Sequence, residues 1–152
     1  MTTTDITIIH VSKADNWELS RDIRQEVFVE EQECPPEEEW DQYDCCSRHL
    51  VAIAAEDPAA TARWRSTIYK GISVAKLERI AVREPFRGRG IGRAIVEALI
   101  EDARSAGFNS FMMHAQAHLC PFYESMGFTT VGDEFIEAGI PHRLMIKLAA
   151  AD

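Results

Sequence analysis

The stretch that decides the fold runs from a predicted strand, through a short turn, into a glycine-rich loop and a predicted helix. It reads Leu77-Glu78-Arg79-Ile80-Ala81-Val82, then Arg83-Glu84-Pro85-Phe86, then Arg87-Gly88-Arg89-Gly90-Ile91-Gly92-Arg93. Beyond it, apolar residues recur at helical spacing from Ile91 to Leu99, which predicts a helix from about Gly90 to Ala106. Gly107 suits the position after that helix, because glycine adopts the left-handed conformation without a Cβ clash.

The start of this helix is predicted to be an anion site. A helix N-terminus carries backbone N–H groups without partners and a partial positive charge, and glycines let a phosphate approach them. Most helices place an acidic or hydroxyl cap there, but here the first helical acid is Glu97, and Arg87, Arg89 and Arg93 add positive charge. The loop therefore favours an external anion such as a pyrophosphate. A glycine-rich turn with surface arginines is the open alternative.

Two other phosphate loops do not fit these glycines. No Lys-Ser or Lys-Thr pair follows them, as a Walker A loop requires. Their spacing is G-x-G-x-G and not the dinucleotide G-x-G-x-x-G, and the next strand, Phe108 to Gln116, lacks the acid of that motif.

The rest of the chain predicts a single mixed α/β domain over residues 1–152. Strands are predicted over residues 6–11, 49–55, 61–68, 74–82, 110–116, 128–135 and 142–148. A first helix, capped by Asp15 or Asn16, is predicted to run to Phe28, and a short one over 118–126. A loop is expected at Pro35-Pro36 and a turn at Asp57-Pro58. This order predicts helices packed on a largely antiparallel sheet.

Bulk composition limits the function classes. The net charge of −9 argues against nucleic-acid binding, which needs a basic face. No apolar run approaches the ~18 residues of a membrane span, and the start MTTTDITIIH does not resemble a secretory signal, so a cytoplasmic protein is expected. The four cysteines form no C-x-x-C pair, and His114-x-x-x-His118 lacks the glutamate of H-E-x-x-H, so no metal site is predicted.

Two blocks resemble one family. Arg87-x-x-Gly90-x-Gly92, after Ile80-Ala81-Val82, resembles the coenzyme A-binding motif of GNAT-superfamily N-acetyltransferases, and Phe122-Tyr123-Glu124-Ser125-Met126-Gly127-Phe128 resembles their second signature. Ala115-Gln116-Ala117-His118-Leu119 and Glu137-x-Gly139-Ile140-Pro141-His142 resemble the bacterial ElaA-like group. The resemblance implies splayed central strands that form an acetyl-coenzyme A cleft, acetyl transfer to the amine of a small molecule or peptide, and a fold that also occurs as a homodimer.

The resemblance also assigns roles to residues. It implies that acetyl-coenzyme A is held by Ile80, Ala81, Val82, Arg87, Gly88, Arg89, Gly90, Ile91, Gly92, Arg93, Gln116 and Phe122. Tyr123 is implied as the general acid that protonates the leaving thiolate, with a core aromatic as the alternative. There are four candidate bases, namely His142, Glu78, His49 and His118. Among them, His142 matches a histidine of glyphosate-type N-acetyltransferases. A strand histidine satisfied by a backbone partner is the alternative for His142.

The acceptor is less well defined. At positions aligned with three substrate-binding arginines of the glyphosate-type enzymes stand Val29, Glu78 and Gln116, which speaks against a phosphonate or dicarboxylate. Glu31, His49 and His118 are predicted to contact the substrate, and Glu31 and Glu78 favour a substrate with positive charge. A catalytically degenerate coenzyme A-binding or interaction module stays open as the other reading.

Overall fold

The fold is described from a computed structural model, which covers residues 5–149. Its strands are β1 (Ile6–Val11), β2 (Arg48–Ala54), β3 (Asp57–Tyr69), β4 (Ile72–Val82), β5 (Phe111–Gln116), β6 (Thr129–Glu137) and β7 (Ile140–Lys147). Its α-helices are α1 (Trp17–Arg24), α2 (Pro36–Glu39), α3 (Ile91–Ser105) and α4 (Cys120–Glu124). A π-helical segment (Gln25–Glu31) extends α1, and single 3-10 turns lie at Gln42–Cys45, Glu84–Phe86 and Ala117–Leu119.

The strands form one sheet in the order β1-β2-β3-β4-β5-β7-β6. Every neighbouring pair is antiparallel except β4 and β5, which run parallel because α3 crosses between them. The predicted mixed α/β fold, a largely antiparallel sheet flanked by helices, is confirmed.

Helices cover both faces of this sheet. Alternation along β2 sends Leu50 into a core that includes Ile95 and Leu99 of α3, and sends Val51 into a second core with Ile23 of α1. All five side chains are 2% exposed or less. Two apolar layers therefore fix the sheet between α1 and α3, and the site lies where this sheet is interrupted.

The sheet is interrupted between β4 and β5. These strands pair only from Ala75 to Leu77 with Phe111 to Met113. Beyond that point β4 carries a bulge, because its register with β3 jumps from Glu78 to Ala81 while β3 advances only from Arg63 to Thr61. Arg79 in the bulge has a φ of +55°, which is uncommon for a residue other than glycine. The predicted splay of the central strands is thereby confirmed.

Several local details differ from the predictions made from the sequence. The first helix begins after Asn16 as predicted, but Asn16 has a φ of 57° and makes no side-chain cap hydrogen bond. Pro36 starts a one-turn helix instead of a loop, since proline suits the first helical position. The β2–β3 turn lies at Ala55-Glu56 and not at Asp57-Pro58, because both residues have positive φ, as a two-residue hairpin turn requires.

Candidate active site

A cleft of about 470 Å³ opens where β4 and β5 separate. Leu77 and Ile80 of β4, Ala115 of β5, Tyr123 of α4 and His142 of β7 all line it. Its outer wall comes from the π-helical segment, α2 and the turn that follows. The strands diverge on this side of the sheet, so the cleft reaches the unpaired edge of β4.

The N-terminus of α3 begins directly after β4 and its turn. Gly88 and Gly90 have φ values of +77° and +80°, which other residues rarely adopt, and no side chain caps the helix or places an acid in its first turn. A Cβ at Gly92 would lie 3.5 Å from Val82 Cγ2 and 4.0 Å from Phe122 Cζ. Backbone N–H groups at this start fit the pyrophosphate of a nucleotide cofactor.

The arginines around this helix start are partly engaged. Arg87 donates to both carboxylate oxygens of Glu31, at 2.7 and 2.8 Å, and from Nε to the Val82 carbonyl at 2.8 Å. Arg93 donates to Glu97 and Ser125 along the helix surface. The hydrogen bond from Arg87 lowers the pKa of Glu31. The Glu31 carboxylate therefore lies against Arg87, before the start of α3, and outside the cleft lining that was expected to contain it.

The ring of Tyr123, in α4, packs against aromatic neighbours. Its ring meets Phe122 edge-on at a centroid distance of 5.0 Å and Phe128 at 6.3 Å, and only 5% of the residue is exposed. Burial, with a smaller effect of Cys120, raises the pKa of the Tyr123 phenol. The phenol therefore keeps its proton at neutral pH, which a general acid requires.

His142 lies on β7, directly opposite Gln116 of β5. Its Nδ1 is 2.7 Å from the Ile140 carbonyl, and since a carbonyl only accepts, Nδ1 carries the proton of the neutral ring. Nε2 is then the nitrogen that can accept a proton, and it lies 3.7 Å from Glu137 Oε2. Glu137 also accepts a hydrogen bond from His114 Nδ1 at 3.0 Å, which lowers the pKa of Glu137 and keeps it charged.

Glu78 is surrounded by cations. Its carboxylate lies 2.7 Å from Arg65, 3.2 Å from Arg63 and 3.3 Å from Lys76. Burial alone would raise the pKa of Glu78, but these three charges outweigh it and the pKa is lowered. A carboxylate held in this way has little affinity for a proton, which makes it a poor general base.

Comparison with known proteins agrees with this architecture. A family model described as the acetyltransferase (GNAT) domain matches residues 24–149. The chain belongs to the GNAT acetyltransferase family. An uncharacterized N-acetyltransferase of Bacillus subtilis, YjcF, is 40% identical over 138 residues, which cover 88% of this chain and 96% of that protein.

Solved structures of the family align over almost the whole chain. Escherichia coli ElaA has a TM-score of 0.79 at 27% identity and covers 95% of this chain and 99% of its own. An acyl-CoA N-acyltransferase from Pseudomonas aeruginosa has a TM-score of 0.78 at 28% identity, with the same two coverages. The predicted likeness to the ElaA group is therefore confirmed at the level of the structure.

The structure separates the predicted site residues of this GNAT protein into two groups. Five of them line the cleft, namely Tyr123, His142, Glu78, Ile80 and Gln116. The segment from Arg87 to Arg93 leads into α3 and forms its start. Val82 and Phe122 contact that helix start around Gly92. Ala81 is 3% exposed and its side chain packs in the α1 core, so only its backbone is available to a ligand.

The other two predicted substrate contacts, His49 and His118, also lie outside the cleft lining. His49 is 2% exposed, its Nε2 donates to the Asp44 carbonyl at 2.9 Å, and its ring packs edge-on against Trp17. Burial lowers the pKa of His49, so the ring is neutral. His118 is exposed on the 3-10 turn after β5, outside the cleft lining. Neither side chain is placed to meet an acceptor in the cleft.

Sequence reasoning missed several charged residues of the cleft. The cleft is lined by Arg65, Lys76 and Glu137. Arg63 does not line it but contacts the cleft residue Glu78 at 3.2 Å. The spacing Arg63-x-Arg65 and Lys76-x-Glu78 places each pair on one face of its strand, a signal that the sequence does contain. For Glu137 the sequence indicates only its place in the ElaA-like block, and not a position in the cleft.

From residue 5 to residue 149, no group of three histidine, cysteine or acidic side chains is arranged to hold a metal ion. Over that range no helix combines the length and apolarity needed to cross a bilayer.

Proposed function

We propose that this GNAT protein is an acetyl-coenzyme A-dependent N-acetyltransferase that acetylates a primary amine by direct attack. The observation that carries the proposal is that Tyr123 and His142 line one cleft, which opens where β4 and β5 separate. The uncapped start of α3 lies beside it. Two relatives, described as an N-acetyltransferase and an acyl-CoA N-acyltransferase, agree with this reaction.

The chain offers a continuous path for acetyl-coenzyme A. Backbone groups of Ile80, Ala81 and Val82 face the gap left by β5, and the N–H groups from Gly88 to Arg93 would hold the pyrophosphate. Phe122 and Gln116 flank this path. When bound, the cofactor supplies a thioester, whose carbonyl carbon is the electrophile.

Tyr123 and His142 would then handle two protons. As the amine attacks, a C–N bond forms and the C–S bond breaks, so the nitrogen loses a proton and the thiolate gains one. His142 Nε2 accepts the proton from nitrogen, and the Tyr123 phenol donates one to sulfur. The Glu137 carboxylate, 3.7 Å from Nε2, stabilises the imidazolium that results. Glu78, which already forms ion pairs with three cations, takes no proton in this scheme.

A panel of primary amines tests the proposal directly. We expect thiol release from acetyl-coenzyme A that depends on the amine, with acetylated product identified by its mass. The degenerate-module alternative predicts binding of acetyl-coenzyme A with no amine-dependent thiol release. That result across small amines, amino acids and peptides would overturn the enzymatic assignment.

A further inference from the structure

Two cations face each other on the cleft wall. Arg65 of β3 and Lys76 of β4 are directly opposite in the antiparallel register, so their side chains leave the same face of the sheet. Each side chain is 15% exposed, and both line the cleft. Like charges directly opposite each other destabilise a strand pair. Burial and repulsion both oppose this arrangement, and among residues 5–149 only the Glu78 carboxylate lies within 4 Å to offset them for both cations.

The ion pairs that include Arg65 and Lys76 contain more cations than carboxylates. A connected ion-pair network joins five cations to four carboxylates and so carries one positive charge in excess. Its members are Arg24, Arg63, Arg65, Lys76, Arg79, Glu39, Asp41, Asp44 and Glu78.

Within this network, the two cations with the fewest carboxylate partners line the cleft. Arg63 is 1% exposed and is satisfied mainly by Asp41 and Asp44, at 2.8 and 2.7 Å. Arg65 and Lys76 are left with Glu78 alone, and Arg63 draws on that carboxylate too. One carboxylate therefore serves two partly buried cations on the cleft wall.

Arg65 keeps donors available to a ligand. Only its Nε donates, to Glu78 at 2.7 Å, while Nη1 and Nη2 make no hydrogen bond to any residue between 5 and 149. Its guanidinium carbon Cζ lies over the Tyr43 ring, 3.9 Å from the ring centroid. The planar guanidinium fork matches the two oxygens of a carboxylate.

We propose that the acceptor of this enzyme carries a carboxylate in addition to its amine, and that Arg65 and Lys76 bind that carboxylate. The inference rests on the proposed function only for the amine. Glu137 and His142, which also line the cleft, would receive the amine end. An acceptor of the amino-acid class satisfies both ends. The two acids from which a cationic substrate was expected, Glu31 and Glu78, are ion-paired within the protein.

Binding of acetylated products tests the carboxylate site without requiring turnover. NMR titration would compare N-acetylglycine, N-acetylalanine, N-acetylleucine and N-acetyl-γ-aminobutyrate with their uncharged carboxamides. We expect at least one acid to bind more tightly than its carboxamide, and Arg65→Gln or Lys76→Gln to weaken the acid by about tenfold to a hundredfold. Neither variant should change binding of the carboxamide. Lys70→Gln is the control, because it removes the same charge from the β3–β4 hairpin outside the cleft lining.

Kinetics supply the second arm. The kcat/KM for amino acids should exceed that for their carboxamides, and Arg65→Gln should abolish the difference while Arg65→Lys retains part of it. Acids that bind no better than carboxamides, or a preference that survives in both variants, would overturn the carboxylate site. Tighter binding of the acids with no thiol release from any amine would support the site and overturn only the acetyl transfer.

Discussion

The Nε2 nitrogen of His142 lies 3.7 Å from Oε2 of Glu137, while Nδ1 on the other side of the ring is committed to the Ile140 carbonyl at 2.7 Å. The backbone thus fixes the tautomer, and the carboxylate faces the nitrogen that would gain a proton. This is the arrangement expected of a general base whose protonated form is stabilised. It also shows that a backbone-satisfied strand histidine and a general base are compatible roles for one residue.

Removal of either partner should lower the rate of acetyl transfer. We expect His142→Ala to lower kcat/KM while acetyl-coenzyme A affinity is retained. In Glu137→Gln the imidazolium that forms on proton transfer loses its neighbouring negative charge, so kcat/KM should also fall. Measurement of kcat/KM, with acetyl-coenzyme A affinity as a check on folding, decides both expectations.

Glu78→Gln is the informative comparison for that experiment. Because three cations lower the pKa of Glu78, its carboxylate has little affinity for a proton, and kcat/KM should be largely retained when it is replaced. Loss of kcat/KM in Glu78→Gln, with its retention in His142→Ala, would reverse the two roles. If both variants keep the wild-type rate, the amine loses its proton to solvent and the protein supplies no base.

The Tyr123 hydroxyl should matter for turnover and not for cofactor affinity. Tyr123→Phe keeps the ring that packs on Phe122 and Phe128 but removes the proton. We expect kcat to fall roughly 100-fold with little change in acetyl-coenzyme A binding. Tyr43→Phe, which removes the same atom from another tyrosine of the cleft, should retain kcat. Equal rates for Tyr123→Phe and wild type would leave Tyr123 with a packing role alone.

The elements that were predictable from sequence are those defined by local pattern. The strand Ile6–Val11 matches its run of β-branched residues, and the helix Ile91–Ser105 follows its apolar spacing to the expected Gly107, whose φ is +99°. The helix start was predictable too, since the missing cap is a property of consecutive residues. In each case neighbours in sequence supply the physical cause.

The cleft depends instead on strand register, which no local pattern determines. Arg65 and Lys76 meet because β3 and β4 pair in one register, and a shift by one residue would send one of them to the opposite face. His49 failed as a substrate contact for the same kind of reason. The residues that bury it, Trp17 and Asp44, belong to other segments of the chain. The residue type alone does not show which face of the sheet the histidine will occupy.

The phosphate assignment is tested at Gly90. Gly90→Asp places a negative charge at the helix start, and we expect acetyl-coenzyme A binding to weaken by more than about tenfold through loss of the anion site. Gly90→Asn is the matched control, since its side chain has the same shape, tolerates the φ of +80° and carries no charge. Calorimetry should show a much larger loss for Gly90→Asp than for Gly90→Asn. Equal affinities in the two variants would remove the pyrophosphate from this helix start.

Acid stability should depend on Asp41, which joins Arg63 and Arg79 beneath the cleft at 2.8 and 3.1 Å. Burial opposes its charge, but hydrogen bonds and charge from Arg63, together with Arg79, lower the pKa of Asp41 from 3.8 to about 2. A carboxylate with a lowered folded-state pKa stabilises the fold above its unfolded pKa, and that stabilisation is lost as pH falls toward the folded value.

Asp41→Asn should therefore lower the free energy of unfolding at neutral pH by about 2 kcal/mol, which is what a difference of this size in pKa is worth. The deficit relative to wild type should stay constant down to about pH 4 and shrink between about pH 4 and pH 2, because wild-type Asp41 is itself protonated there. Denaturant unfolding at several pH values measures both. Asp133→Asn, which removes an exposed carboxylate from β6, should show no such dependence. A deficit that does not change with pH would mean that Asp41 acts through packing or hydrogen bonding and not through its charge.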